Sequence, residues 1–206
     1  MPDHAATRPR RTRADAIRNR NRLLEAAAAV FGRGGTGAGL DAVAREAGVG
    51  IGTLYRHFPT REALYEAVYR REVDQLVELA GQLATEGAPM QALRRWFTAL
   101  MGMVATKKGM GAALALAAHR PPELAAYSAS RLQEAIGMLL RRAVEAGEVR
   151  TDLGPEDLLM AVVGLCYVLD GPGWQAQALR LLDVFLDGLR RREGLAAPSH
   201  AAGDGS

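Results

Sequence analysis

The stretch Leu40–Phe58, LDAVAREAGVGIGTLYRHF, constrains the fold of this chain more than any other. Leu40, Val43, Ala44 and Ala47 recur at i, i+3, i+4 and i+7, which is one face of a short helix. Gly48 stops that helix, because the left-handed residue that closes a helix is cheapest without a Cβ. Val49 is expected to bury just past the turn, and a second short helix carries Thr53, Leu54, Tyr55 and His57. Two helices crossing steeply around so tight a turn need a small side chain at their closest approach, and Ala44 supplies it. A small residue, a glycine four later and an aliphatic six after that (Ala44, Gly48, Leu54) make helix-turn-helix spacing. A plain helical hairpin in an α bundle is the alternative reading.

The residues that follow favour a nucleic-acid role. Pro59 ends the second helix, since the position before a proline is pushed out of the α region. Thr60 can cap the next helix, and Arg61 lies in its first turn, where basic side chains and free amides can meet a phosphate.

The segment GVGIGTLYRHFPTREAL, Gly48–Leu64, resembles the recognition-helix signature of the TetR family of transcriptional regulators, and the likeness extends over residues 15–75. It departs from the family pattern at Gly39, where Ser or Thr is common, and at Gly50-Ile51, where Ser-Lys is common. Phosphate contacts are not expected from those positions, and Ile51 offers an apolar contact of the kind a thymine methyl accepts. The resemblance implies an all-α protein with an N-terminal three-helix helix-turn-helix domain and a C-terminal helical bundle for ligand binding and dimerisation. It also implies a cytoplasmic homodimeric repressor that binds a near-palindromic operator in double-stranded DNA and is released by a small-molecule effector. Gly50, Ile51, Thr53 and Tyr55 lie near the end of the second helix that enters the groove. Tyr55, Arg56 and His57, with Thr60 and Arg61 beyond them, are placed to meet phosphates and sugars, which position a reader without specifying sequence. His57 also suits a packing or pH-sensitive histidine.

Charge agrees with a polyanion at one end. Residues 1–58 hold 10 Arg against 5 Asp+Glu, whereas the other 148 hold 16 Lys+Arg against 18 Asp+Glu, so the overall +3 conceals a basic front and a slightly acidic rear. The single cysteine, Cys166, excludes an intramolecular disulfide and fits a reducing cytoplasm. No apolar run approaches the ~20 residues of a membrane span.

The domain reading is a disordered basic leader over 1–14, the helix-turn-helix domain over 15–60, a connecting helix over 61–87, a ligand-binding and dimerisation domain over 88–192, and a disordered tail over 193–206. Arg8, Arg10, Arg11 and Arg13 of the leader serve either as a solvated tail or as an arm that reaches a groove. A first helix is expected from Asp15 to Phe31, with Ile17, Leu24, Ala27, Ala28 and Phe31 on its inner face. In the second domain Lys107-Lys108-Gly109 is expected to break a helix that starts at Met90, leaving a short helix from Met110 to Ala118.

The last two helices are apolar on more than one side, through Leu158, Leu159, Val162, Val163 and Cys166 and then Leu179, Leu182, Phe185, Leu186 and Leu189. A second copy of the chain would cover them, giving an isologous four-helix interface; deeper burial within one chain is the alternative. Trp96, Met103, Met110, His119, Tyr127, Met138 and Tyr167 could line an effector cavity, each with ordinary core as its competing role. No charge cluster marks a ligand class, so an uncharged, largely apolar molecule is expected.

Enzyme readings find little here. With only His4, His57, His119 and His200 there is no histidine-rich metal site, Cys166 has no evident activating base, and no cofactor is expected. Gly48, Gly50 and Gly52 imitate a dinucleotide fingerprint, but they follow a helix and lack a βαβ context. The alternative from another class is a helical small-molecule-binding or scaffold protein whose helix-turn-helix no longer functions.

Overall fold

A computed structural model of the chain describes residues 8–34, 39–116, 122–169 and 171–191. Those residues form α1 (Arg8–Gly34), α2 (Leu40–Glu46), α3 (Ile51–His57), α4 (Arg61–Leu83), α5 (Pro89–Leu116), α6 (Pro122–Glu145), α7 (Pro155–Val168) and α8 (Trp174–Leu189). Among them there is no strand, and extended backbone pairs only at an isolated antiparallel bridge between Val149 and Arg190. The fold is all-α, with the helix-turn-helix in front and a helical domain behind.

Local chemistry sets the helix ends much as the residue types require. Gly48 takes φ +64° at the turn between α2 and α3, and the Val49 amide donates back to the Ala44 carbonyl at 3.0 Å. Thr60 Oγ1 accepts from the Ala63 amide at 3.1 Å and starts α4. At the far end of α4, Arg142 of α6 donates to the Leu83 and Glu86 carbonyls, both at 2.8 Å, satisfying groups the helix leaves open. Pro155 opens α7, and the Asp157 carboxylate receives the Gly154 amide at 2.8 Å.

Two apolar clusters hold the molecule together. The first joins Leu23, Ala27 and Phe31 of α1 to Val43, Ala44, Leu54 and Phe58 of the motif and to Leu64, Tyr65 and Val68 of α4. The second is built on Trp96, Phe97 and Leu100 of α5 and takes in Val73, Leu76 and Leu83 of α4 with residues of α6, α7 and α8. α4 therefore belongs to both: its first half roots the helix-turn-helix and its second half roots the bundle.

Three expectations are corrected. α1 begins at Arg8, not near Asp15, and no described side chain before Leu23 is buried. Ile17 is accordingly 55% exposed and not an inward residue. α5 is one helix through Lys107, Lys108 and Gly109. Gly109 is there because a Cβ would stand 1.8 Å from the Phe31 carbonyl oxygen of α1. The glycine marks a crossing of two helices and not a break. Met110 next to it leaves the bundle and is buried in the first cluster, so α5 reaches into the core of the front domain.

The third correction concerns the last two helices. Leu158, Val162, Cys166, Leu182, Leu186 and Leu189 are buried inside their own chain, packed on the second cluster. Leu159, Val163 and Phe185 are partly covered by the same cluster, and Leu179 is 40% exposed. The faces of α7 and α8 left open carry Met160, Tyr167 and Val168, and Leu179 and Val184. None of the described helices is long and apolar enough to cross a membrane.

Candidate nucleic-acid interface

α3 is seven residues long and is anchored from beneath. Leu54 is fully buried and Phe58 nearly so, both in the first cluster, so the opposite side of the helix faces out. That outer side carries Ile51, Gly52, Tyr55 and Arg56, all exposed, with Thr53 and His57 half-buried at its edges. Gly50, the residue before the helix, and Thr60, the cap of α4, are exposed as well. The eight positions singled out in the sequence, Gly50, Ile51, Thr53, Tyr55, Arg56, His57, Thr60 and Arg61, thus fall on one end of the molecule around α3 and the start of α4.

Several of these side chains are already held. Arg56 folds back along its own helix, donating from Nε to the Gly52 carbonyl and from Nη2 to Thr53 Oγ1, both at 3.2 Å. Arg61 lies 5.5 Å above the Tyr65 ring and donates from Nε to the Tyr65 hydroxyl. Tyr65 meets Phe31 edge-on with centroids 4.9 Å apart. A cation at the start of α4 is thereby seated on an aromatic stack that begins in α1.

Two arginines of α1, Arg20, which no sequence pattern singles out, and Arg22, expected only as a surface residue, also reach the motif. Arg20 of α1 stands 5.4 Å over the Phe58 ring, and the Arg22 guanidinium lies 2.9 Å from the point a Gly48 Cβ would occupy. Both bring charge from α1 to the helix-turn-helix. Positions 20 and 58, or 22 and 48, share no local sequence pattern, so only packing pairs them. Arg33 also ties α1 to α2 through Glu46 at 2.9 Å.

The residues considered for an effector cavity are dispersed. Trp96 is fully buried, with its indole N–H donating to the Leu76 carbonyl at 2.9 Å, and Met103 is buried in the same cluster. Met110 sits in the front core, Tyr127 donates to Asp74 at 2.8 Å, and Met138 and Tyr167 are 40% and 45% exposed. His119 lies outside the described residues. A groove of about 590 Å³ instead runs between α1 and α4, lined by Arg20, Asn21, Leu24, Arg70, Asp74 and their neighbours. Asp74 makes the hydrogen bond that, with burial, pushes the Tyr127 hydroxyl above its ordinary range. Burial also pushes the Cys166 thiol up, against the weaker pull of Lys108.

Comparison with known proteins bears on this geometry. Residues 23–68 match the profile of the bacterial regulatory proteins of the tetR family. Residues 88–191, half of the chain, match that of the transcriptional regulator SbtR-like C-terminal domain. The crystal structure of the TetR transcriptional regulator SCO0520 from Streptomyces coelicolor is 43% identical, with a TM-score of 0.74 over 84% of this chain and 99% of that one. A TetR regulatory protein from Mycobacterium vanbaalenii is 34% identical, with a TM-score of 0.69 over 87% and 99%. Among curated proteins, the transcriptional activator FasR of Mycolicibacterium smegmatis is 49% identical over 59 residues, which is 28% of this chain and 27% of FasR. The chain spans only about a quarter to a third of the curated relatives it matches. The front-domain geometry, the two profiles and the near full-length likeness to SCO0520 agree: this chain belongs to the TetR family of transcriptional regulators and carries a helix-turn-helix DNA-binding domain.

Proposed function

We propose that the protein is a homodimeric repressor that binds a near-palindromic operator through α3 and leaves it when a small molecule occupies the helical domain. The observation that carries the reading is the two-sided character of α3: Leu54 and Phe58 lock it to the core while Ile51, Gly52, Tyr55 and Arg56 face outward. Gly50, Ile51, Thr53 and Tyr55 meet base edges in the major groove, and Arg56, His57, Thr60 and Arg61 meet the backbone. Exposed Arg18, Arg20 and Arg22 add charge alongside. Dimerisation is supported by the open apolar residues Met160 and Val168 of α7 and Val184 of α8, exposed by 70%, 83% and 69%. A two-fold pair would set two copies of α3 on successive major-groove faces about 34–36 Å apart. Repression needs only occupancy of a promoter.

The test is selection of random duplexes by the purified protein, followed by affinity for the winner against salt. A near-palindromic winner with a steep salt slope supports the reading. Weak binding without sequence preference overturns it and favours a ligand-binding bundle whose helix-turn-helix has lost its task.

A further inference from the structure

The outward face of α3 is poor in the groups that usually read bases. Between Gly39 and Thr60 there is no lysine, asparagine or glutamine, the side chains other than arginine that pair bidentately with guanine or adenine. Of the two arginines in that span, Arg45 is on α2, and Arg56 is folded back onto Gly52 and Thr53. Thr53 Oγ1 is engaged in the same contact. What the helix offers directly is apolar: Ile51, 38% exposed in its first turn, and Tyr55, 48% exposed one turn on. Residues four apart lie on the same helix face, so the Ile51 side chain and the Tyr55 ring form one surface. Gly52 beside them has open space where a Cβ would be, which lets the backbone come close to whatever lies in front. An exposed isoleucine is out of place on a surface meeting the charged backbone of DNA. It is well placed against the one apolar group in the major groove, the thymine C5-methyl.

Resting on the operator reading above, we propose that Ile51, with the Tyr55 ring, is a specificity determinant that reads thymine methyls, so that the half-site carries thymine where α3 enters the groove. The surrounding basic surface gives affinity for any duplex, and this apolar pair adds preference for methyl-bearing steps.

The experiment replaces each thymine of the selected duplex in turn by deoxyuridine, which removes the methyl and leaves every hydrogen-bonding group in place. Burying one methyl is worth about 0.8 kcal/mol, so affinity is expected to fall about fourfold at one or two positions per half-site. In Ile51→Ala the same replacements should cost nothing further, while the salt slope stays that of the parent; Ile51→Val should keep most of the effect. Because the change is made in the DNA, the first result does not depend on how a variant folds. A selected operator bound equally well with thymine or deoxyuridine throughout overturns the methyl reading and leaves the operator reading standing, with Arg56 or Thr53 as the reader. Absence of any sequence preference overturns both.

Discussion

Gly109 of α5 lies so close beneath the backbone of Phe31 in α1 that a Cβ on it would stand 1.8 Å from the Phe31 carbonyl oxygen. The same Phe31 meets Tyr65 edge-on at 4.9 Å, and the Tyr65 hydroxyl accepts from Arg61. One backbone contact in the bundle is thus three steps from the Arg61 cation at the start of α4. The neighbour against Gly109 is main chain, which cannot rotate aside as a side chain would.

Gly109→Ala should therefore force α1 and α5 apart. The expected cost is at least the ~1–3 kcal/mol of an overpacked site, read as a lower denaturant midpoint. DNA affinity should fall with it as Phe31 and Tyr65 shift. A variant as stable as the parent would show that α1 can slide over α5 freely.

Lys108 holds the end of α7. Its ammonium donates to the Cys166 carbonyl at 3.0 Å and the Leu169 carbonyl at 2.6 Å, and stands 4.3 Å from the Trp174 ring centroid. Lys108→Met keeps the stem and removes the donor. Charge-assisted hydrogen bonds are worth about 1.5–3 kcal/mol, reduced here by the half-exposed setting, so thermal unfolding should show a loss of about 1–2 kcal/mol.

Arg61→Ala should weaken all duplexes about equally and flatten the salt slope by about one unit, because a lost phosphate contact carries no sequence information. Thr53→Ala should instead change the preferred sequence. Parallel titrations of operator and random DNA separate the two, and equal losses for Thr53→Ala would contradict its assignment.

Outward and inward residues of the last two helices should respond oppositely to charge. Val168→Glu and Val184→Glu place carboxylates on open faces, and sedimentation should show monomers with unchanged helical content. Leu186→Glu buries a charge within the chain's own core and should unfold it.

Burial raises the Cys166 thiol, so the folded state holds the proton more tightly than the unfolded chain does. The stability this contributes is present below the unfolded thiol's range and declines as pH rises through it toward the folded value. Alkylation by a neutral maleimide at pH 8 should accordingly track unfolding.

Much of the front domain was legible from local residue chemistry. The turn at Gly48, the cap at Thr60, the stop at Pro59 and the buried pair Leu54 and Phe58 each follow from what one residue does to its own backbone or helix face. The face of α3 that points outward also followed from periodicity, whereas nine helices were expected and eight are described, because α5 runs unbroken where two helices were foreseen. What the sequence could not decide were matters of which helix packs on which. Lys107-Lys108-Gly109 has the composition of a breaker, yet it is a crossing, because glycine serves equally where a helix ends and where another backbone approaches. Leu158, Leu182 and their neighbours are apolar on helices that are apolar nearly all round, so periodicity could not tell the side that meets α5 and α6 from the side left open. Arg20 over Phe58 and Met110 in the front core join residues far apart in the chain. Local sequence sets backbone conformation; only the packed tertiary structure decides which faces are covered.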